Sequence, residues 1–101
     1  MSKHVIETVT FRLRDGISRA DFAAAAAATN GWVSAQPGFV ARHLSCAEDG
    51  TWTEHIRWQD MASASAAAAG IGTAADTAAF LSAIDGPSAR VSHSELEIAL
   101  P

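Results

Sequence analysis

Residues 52–58 read WTEHIRW. In a strand, side chains alternate between faces, so Trp52, Glu54, Ile56 and Trp58 share one side and Thr53, His55 and Arg57 the other. Neither side is a plain wet surface. His55 belongs with His4, His43 and His93 to the chain's set of imidazoles, the side chains best suited to gaining and losing a proton near neutrality. No two of the four stand at the close spacing of a metal-ligand pair, so neither a metal site nor a cofactor is expected from them. Glu7 falls between Val5 and Val9 on one strand face. A carboxylate so placed needs a hydrogen-bonding or cationic partner, and a histidine of the neighbouring strand is the expected one. His93, in VSHSELE, shares a face with Val91 and Ala89 and is read as an interior histidine or a proton acceptor. For His55 and Arg57 the spacing suggests a polar contact across an interface between two copies. Trp32, Trp52 and Trp58 are expected to fill the core, each seeking one acceptor for its indole N–H.

These residues sit on six predicted elements. Val5–Arg14, rich in β-branched and aromatic residues and closed by Asp15-Gly16, is a strand. Ser18 caps a helix over Ala20–Gln36, with Asp21 in the capping-box position and Asn30-Gly31 as an interruption. Pro37-Gly38 stops that helix, and strands over Phe39–Ala47 and Thr51–Gln59 flank an acidic turn at Glu48-Asp49-Gly50. Asp60 caps a second helical region from Met61 to about Gly70, GIGTAAD breaks it, and a short helix over Ala74–Ile84 carries Thr77, Phe80, Leu81 and Ile84 as an apolar stripe. Gly86-Pro87 ends it, and Ala89–Leu100 is the last strand. The order β-α-β-β-α-β implies a ferredoxin-like α+β domain, a four-stranded antiparallel sheet with helices on one face.

Composition removes several classes of function. The 101 residues amount to one domain over 1–101, 49% apolar with a formal charge of −4. Neither disorder nor an electrostatic nucleic-acid binder fits those values. The alanine runs at 23–28 and 66–70 are too short for a membrane span, and MSKHVIETVTF has no signal-peptide core. Cytoplasm is the default location. The single Cys46 cannot form an internal disulfide. A small domain buries proportionally less surface, and strand three has specific groups on both sides, so two sheets are expected to pack face to face in a homodimer.

The run VIETVTFRL before a helix, then QPGFVARHL, an acidic turn, a strand ending in Trp58 and QDMASASAAAA together resemble the antibiotic-biosynthesis-monooxygenase-like domains of the dimeric α/β-barrel superfamily over nearly the whole chain. The opening KHVIETVTFRLRDGIS is also similar to stress-responsive members. The resemblance implies a pocket between each sheet and its own helices, in which some members oxidise polycyclic aromatic compounds with molecular oxygen and no cofactor. It implies a base among His93, His43 and His55, an oxyanion donor in Arg57 or Arg42, and walls for a small aromatic ligand from Trp32, Trp52, Trp58 and Phe80. Alanine-rich helices suggest that such a pocket is open. Haem chemistry is disfavoured, since strand one has no Asn and 61–84 has neither Trp nor His; the chain also has no Tyr, which anthrone-type oxygenases of this group use. The expected function is a cofactor-independent monooxygenase acting on an aromatic or polyketide-like compound. A cyclase or isomerase on the same scaffold, or a non-catalytic ligand-binding or stress-associated dimer, are the alternatives.

Overall fold

The computed structural model describes residues 3–101, so Met1 and Ser2, at the head of the stretch read above for a signal peptide, lie outside it. The chain runs β1 (Val5–Phe11), α1 (Arg19–Ala27), α2 (Asn30–Ser34), β2 (Phe39–Cys46), β3 (Trp52–Trp58), α3 (Met61–Ile71), a 3₁₀ turn at Ala75–Thr77, α4 (Ala78–Ala83), a second 3₁₀ turn at Gly86–Ser88 and β4 (Arg90–Glu95). The strands pair antiparallel in the order β2-β3-β1-β4, the ferredoxin-like arrangement expected.

Parity follows the alternation in WTEHIRW. Trp52, Glu54, Ile56 and Trp58 are buried beneath the helices, while Thr53, His55 and Arg57 are half-buried or exposed. Residues directly opposite on paired strands share a face. The register therefore puts Val5, Glu7, Val9 and Phe11 of β1, Arg42 and Leu44 of β2, and Val91 and His93 of β4 on the helix side. His43, Ala41, Ile6, Thr8 and Ser92 fall on the uncovered side.

The layer between sheet and helices holds two clusters. One gathers Phe11, Phe22, Ala26, Trp52, Phe80 and Ala83; the other gathers Val33, Ile56, Trp58, Ala64 and Ala67. In the first, Phe22 lies 4.8 Å from Trp52 in an edge contact and 5.2 Å from Phe80 in a stacked one. The alanines fill part of this layer and line part of what is left: Ala23, Ala26 and Ala27 border a hollow of about 270 Å³ beneath α1. Ala26, Ala64, Ala67 and Ala83 are themselves buried, because a methyl side chain lets a helix settle close on the aromatic sheet surface.

Several boundaries differ from expectation for identifiable reasons. β1 stops at Phe11 rather than Arg14, since its backbone bonds pass to other partners: Arg12 N–H donates to Ser88 Oγ at 2.9 Å and Arg14 N–H to the Ala83 carbonyl. The long first helix is split before Asn30-Gly31, where the buried Thr29 hydroxyl bonds back to the Ala26 carbonyl at 2.6 Å. β4 ends at Glu95, not Leu100, because β1 begins at Val5 and only the His4 carbonyl remains to pair with Leu96 N–H. Both expected caps form, with Ser18 Oγ accepting from Asp21 N–H and Asp60 Oδ1 from Ser63 N–H.

Gly38 closes the turn into β2 with φ +82°, and a Cβ there would stand 2.1 Å from Ser63 Oγ and 2.5 Å from Ser63 Cβ in the first turn of α3. Gly38→Ala is expected to destabilise the fold by more than about 1 kcal/mol, measured by urea unfolding. The equivalent change at Gly31, whose added Cβ meets nothing within 4 Å, is the matched control.

Candidate functional site

Two polar groups of residues interrupt the apolar layer. In the first, β1 and β4 set Glu7 directly opposite His93, and Glu7 Oε2 lies 3.2 Å from His93 Nε2. The other carboxylate oxygen, Oε1, accepts the indole N–H of Trp58 at 3.2 Å. In the Nε2–H tautomer of His93, Nε2 donates to Glu7 Oε2 as the Trp58 indole does to Oε1. The lone pair is then on Nδ1, which has no protein partner among the described residues. Trp58, 2% exposed, anchors the pair from the core; His93 is 30% exposed at the side chain and Glu7 13%. His93 lines an open cleft of about 620 Å³ together with Lys3, Val5, Asp60, Met61 and Glu95. A histidine held through one nitrogen by a carboxylate and free at the other is equipped to take a proton from a bound acid.

Asp60 forms the far wall of that cleft and caps α3. The Ser63 backbone N–H, and then its side chain, hold the Asp60 carboxyl below the ordinary aspartate value. A lowered folded-state value means that this contribution to stability is complete above the ordinary aspartate range. It fades as pH falls and is lost once pH drops below the folded-state value. Asp60→Asn is expected to flatten the acid limb of a melting-temperature profile recorded from pH 5 to pH 2; an unchanged slope would refute the assignment.

The second group is an ion pair. Arg42 of β2 grips Glu54 of β3 in a two-pronged contact, Nε to Oε1 at 2.8 Å and Nη2 to Oε2 at 2.9 Å. The side chains are 10% and 8% exposed. Nη1 donates to Thr29 Oγ1 at 2.6 Å and to Asn30 Oδ1 at 3.0 Å, and the guanidinium carbon sits 5.5 Å from the Phe80 ring centroid. Arg42 is thereby committed to holding α1 and α2 on the sheet. Sequence reasoning missed this pair, although Glu54 on a Trp-bearing face was a signal that a cation had to meet it.

The sequence-derived candidates separate onto two sides of the sheet. Glu7, His93 and Trp58 come together; His43, His55 and Arg57 lie on the uncovered side, where His43 and His55 are directly paired with ring centroids 6.2 Å apart. The sheet stands between the two sets, so they do not act on one atom of one substrate. Trp52 and Phe80 are packed into the first cluster, and Trp32 is partly buried against the second. Among these aromatics, Trp52 edges a hollow of about 270 Å³ beneath α1, with Arg42 and Asn30. No cluster of three or more metal-binding side chains occurs among the described residues, and no helix among them is long and apolar enough to cross a membrane.

No family model matches the sequence and no curated protein is detectably similar to it. Solved structures do match in shape. SnoaB from Streptomyces nogalater, described as a cofactor-independent oxygenase, superposes with a TM-score of 0.78 at 20% identity, covering 99% of each chain. A Bordetella bronchiseptica protein provisionally named an antibiotic biosynthesis monooxygenase gives 0.75 at 14% identity over 96% of this chain and 100% of its own. The likeness read in the sequence is met at the level of architecture: the chain has the α+β fold of the antibiotic-biosynthesis-monooxygenase-like domains.

Proposed function

We propose that the chain is a cofactor-independent oxygenase of small aromatic or polyketide-like compounds, with His93 as the base and Glu7 as the residue that orients it. The observation that supports this is the Glu7–His93 contact, fixed on its far side by Trp58 and open on its near side to the cleft. In an anthrone-like substrate the ring methylene is acidic, because the carbanion is delocalised over the flanking rings and carbonyl. His93 Nδ1 takes one methylene proton, and Glu7 stabilises the imidazolium. The carbanion passes one electron to dioxygen, the radical pair combines, and the peroxide anion takes the proton back from His93. Loss of water from the hydroperoxide, with removal of the second methylene proton, leaves a ketone. One dioxygen is consumed and one water formed.

Two copies are proposed to cover the helix-free face, as the sequence reading expected. Sedimentation velocity at 10 µM is expected to show a species of twice the 10.5 kDa chain mass; a single-chain species would contradict it. The closely filled layer favours a second reading, ligand binding without turnover. The two are separated by washout of deuterium from ring-methylene-deuterated anthrone under nitrogen. The oxygenase reading predicts exchange above the buffer rate that depends on His93, and binding alone predicts none.

A further inference from the structure

The uncovered face carries a pair of imidazoles where the second copy is expected. His55 is the middle residue of β3, an inner strand, and His43 stands directly opposite it on β2 with ring centroids 6.2 Å apart. Both are exposed in the single chain. Two sheets stacked face to face over their inner strands cover His55, and taking an imidazole out of water disfavours its charged form. His4, at the head of β1, is tied to the same face through Arg57, whose Nε donates to His4 Nδ1 at 2.7 Å. That nitrogen accepts only while it carries no proton.

The charges around the pair have one sign, with one exception. None of the residues that the four strands place on this face is Asp or Glu, although the chain has 11 of them. Arg57 flanks His55 on β3, and Arg90 lies on the same face of β4 with its guanidinium turned to the Pro87 and Ala89 carbonyls. The exception is the terminal carboxylate of Pro101, which the segment after β4 brings, with Leu96 and Ile98, to the hollow that His43 and His55 line. Among the described residues no carboxylate lies within ion-pair distance of either imidazole or of Arg57. Pairing about a two-fold axis doubles each of these groups, and one carboxylate per chain does not balance Arg57 and protonated His4, His43 and His55 together. We infer that this face is a proton-sensitive contact between copies, which holds while His43 and His55 are neutral and separates as they gain protons. The inference rests on the pairing proposed above and not on the oxygenase reading, because the sheet separates this face from His93. Its sign follows from proton counts: the separated chains bind more protons than the pair, so falling pH favours separation. Each imidazole that must stay neutral weakens the pair by up to about tenfold per pH unit below the ordinary histidine range.

Sedimentation equilibrium of the full chain over a dilution series at pH 7.5 and pH 5.5 tests it, with circular dichroism at both values to show that the chain stays folded. The dissociation constant of the pair is expected to rise at least about a hundredfold at the lower pH, about tenfold for each of the two His55 rings. The double variant His43→Gln with His55→Gln has no titrating ring at the contact and is expected to lose most of that change. A single chain at pH 7.5 removes the pairing itself, and the switch with it. A pair equally tight at both values leaves the pairing standing and overturns the switch, as does an acid-induced separation that the glutamine variant shares in full. If the glutamine variant does not pair at pH 7.5, dilution calorimetry of the wild-type pair at pH 6, in two buffers of different ionisation enthalpy, is read in its place. Uptake of one or more protons per pair separated supports the switch, and no uptake overturns it.

Discussion

Glu54→Ala is expected to destabilise the protein by about 3 to 5 kcal/mol, the usual cost of stranding one member of a buried ion pair. For a chain of this size that corresponds to a fall in melting temperature on the order of 15–25 °C. The change removes the only carboxylate on Arg42 among the described residues and leaves the guanidinium nine-tenths buried against Thr29, Asn30 and Phe80. Neutral acceptors remain, but none balances the charge. The complementary variant separates charge from packing. Arg42→Met with Glu54→Leu removes both ions at roughly conserved volume and is expected to recover most of the loss, because burying an ion pair costs desolvation that an apolar pair avoids. Urea unfolding of the two singles and the double gives the coupling directly. A Glu54→Ala chain within 1 kcal/mol of wild type would show that the pair does not hold α1 and α2 to the sheet.

His93→Ala is expected to lower kcat on an anthrone substrate by about a hundred- to ten-thousandfold, the range attributed to general base catalysis. Stability should change little, since the side chain is 30% exposed at the edge strand. Glu7→Gln tests orientation apart from the base itself. A glutamine can still contact Nε2, but it neither fixes the tautomer nor offsets the imidazolium charge, so kcat is expected to fall while KM holds. His43→Ala and His55→Ala serve as controls across the sheet, with kcat within about twofold of wild type. A drop for His55→Ala matching that for His93→Ala would place the chemistry on the other face.

Much of this was legible in the residues. The alternation in WTEHIRW sorts its side chains onto the faces they occupy, and Glu7 between two valines pointed to a histidine on the next strand, which is His93. The caps at Ser18 and Asp60 are read from side chains that bond the third residue on. Arg42–Glu54 was not legible, because it depends on the β2–β3 register. The pairing slips between Phe39 and Ala41, and a slip of one residue exchanges the faces of a strand. Before that slip is known, Arg42 and His43 are equally good candidates for the helix side. The last strand was read too long because Leu96, Ile98 and Leu100 keep the period of two. Period alone does not report that the neighbouring strand has already ended. Alanine acts in both directions: Ala64 and Ala67 pack close on the sheet, while Ala23, Ala26 and Ala27 line the hollow beside Trp52.

Oxygen uptake bears most directly on the proposed activity. With the chain in EDTA and anthrone as substrate, an oxygen electrode should record uptake well above the buffer rate, one dioxygen per ketone formed, and a His93→Ala trace close to buffer. A wild-type trace indistinguishable from buffer, or one that His93→Ala leaves unchanged, would contradict the account.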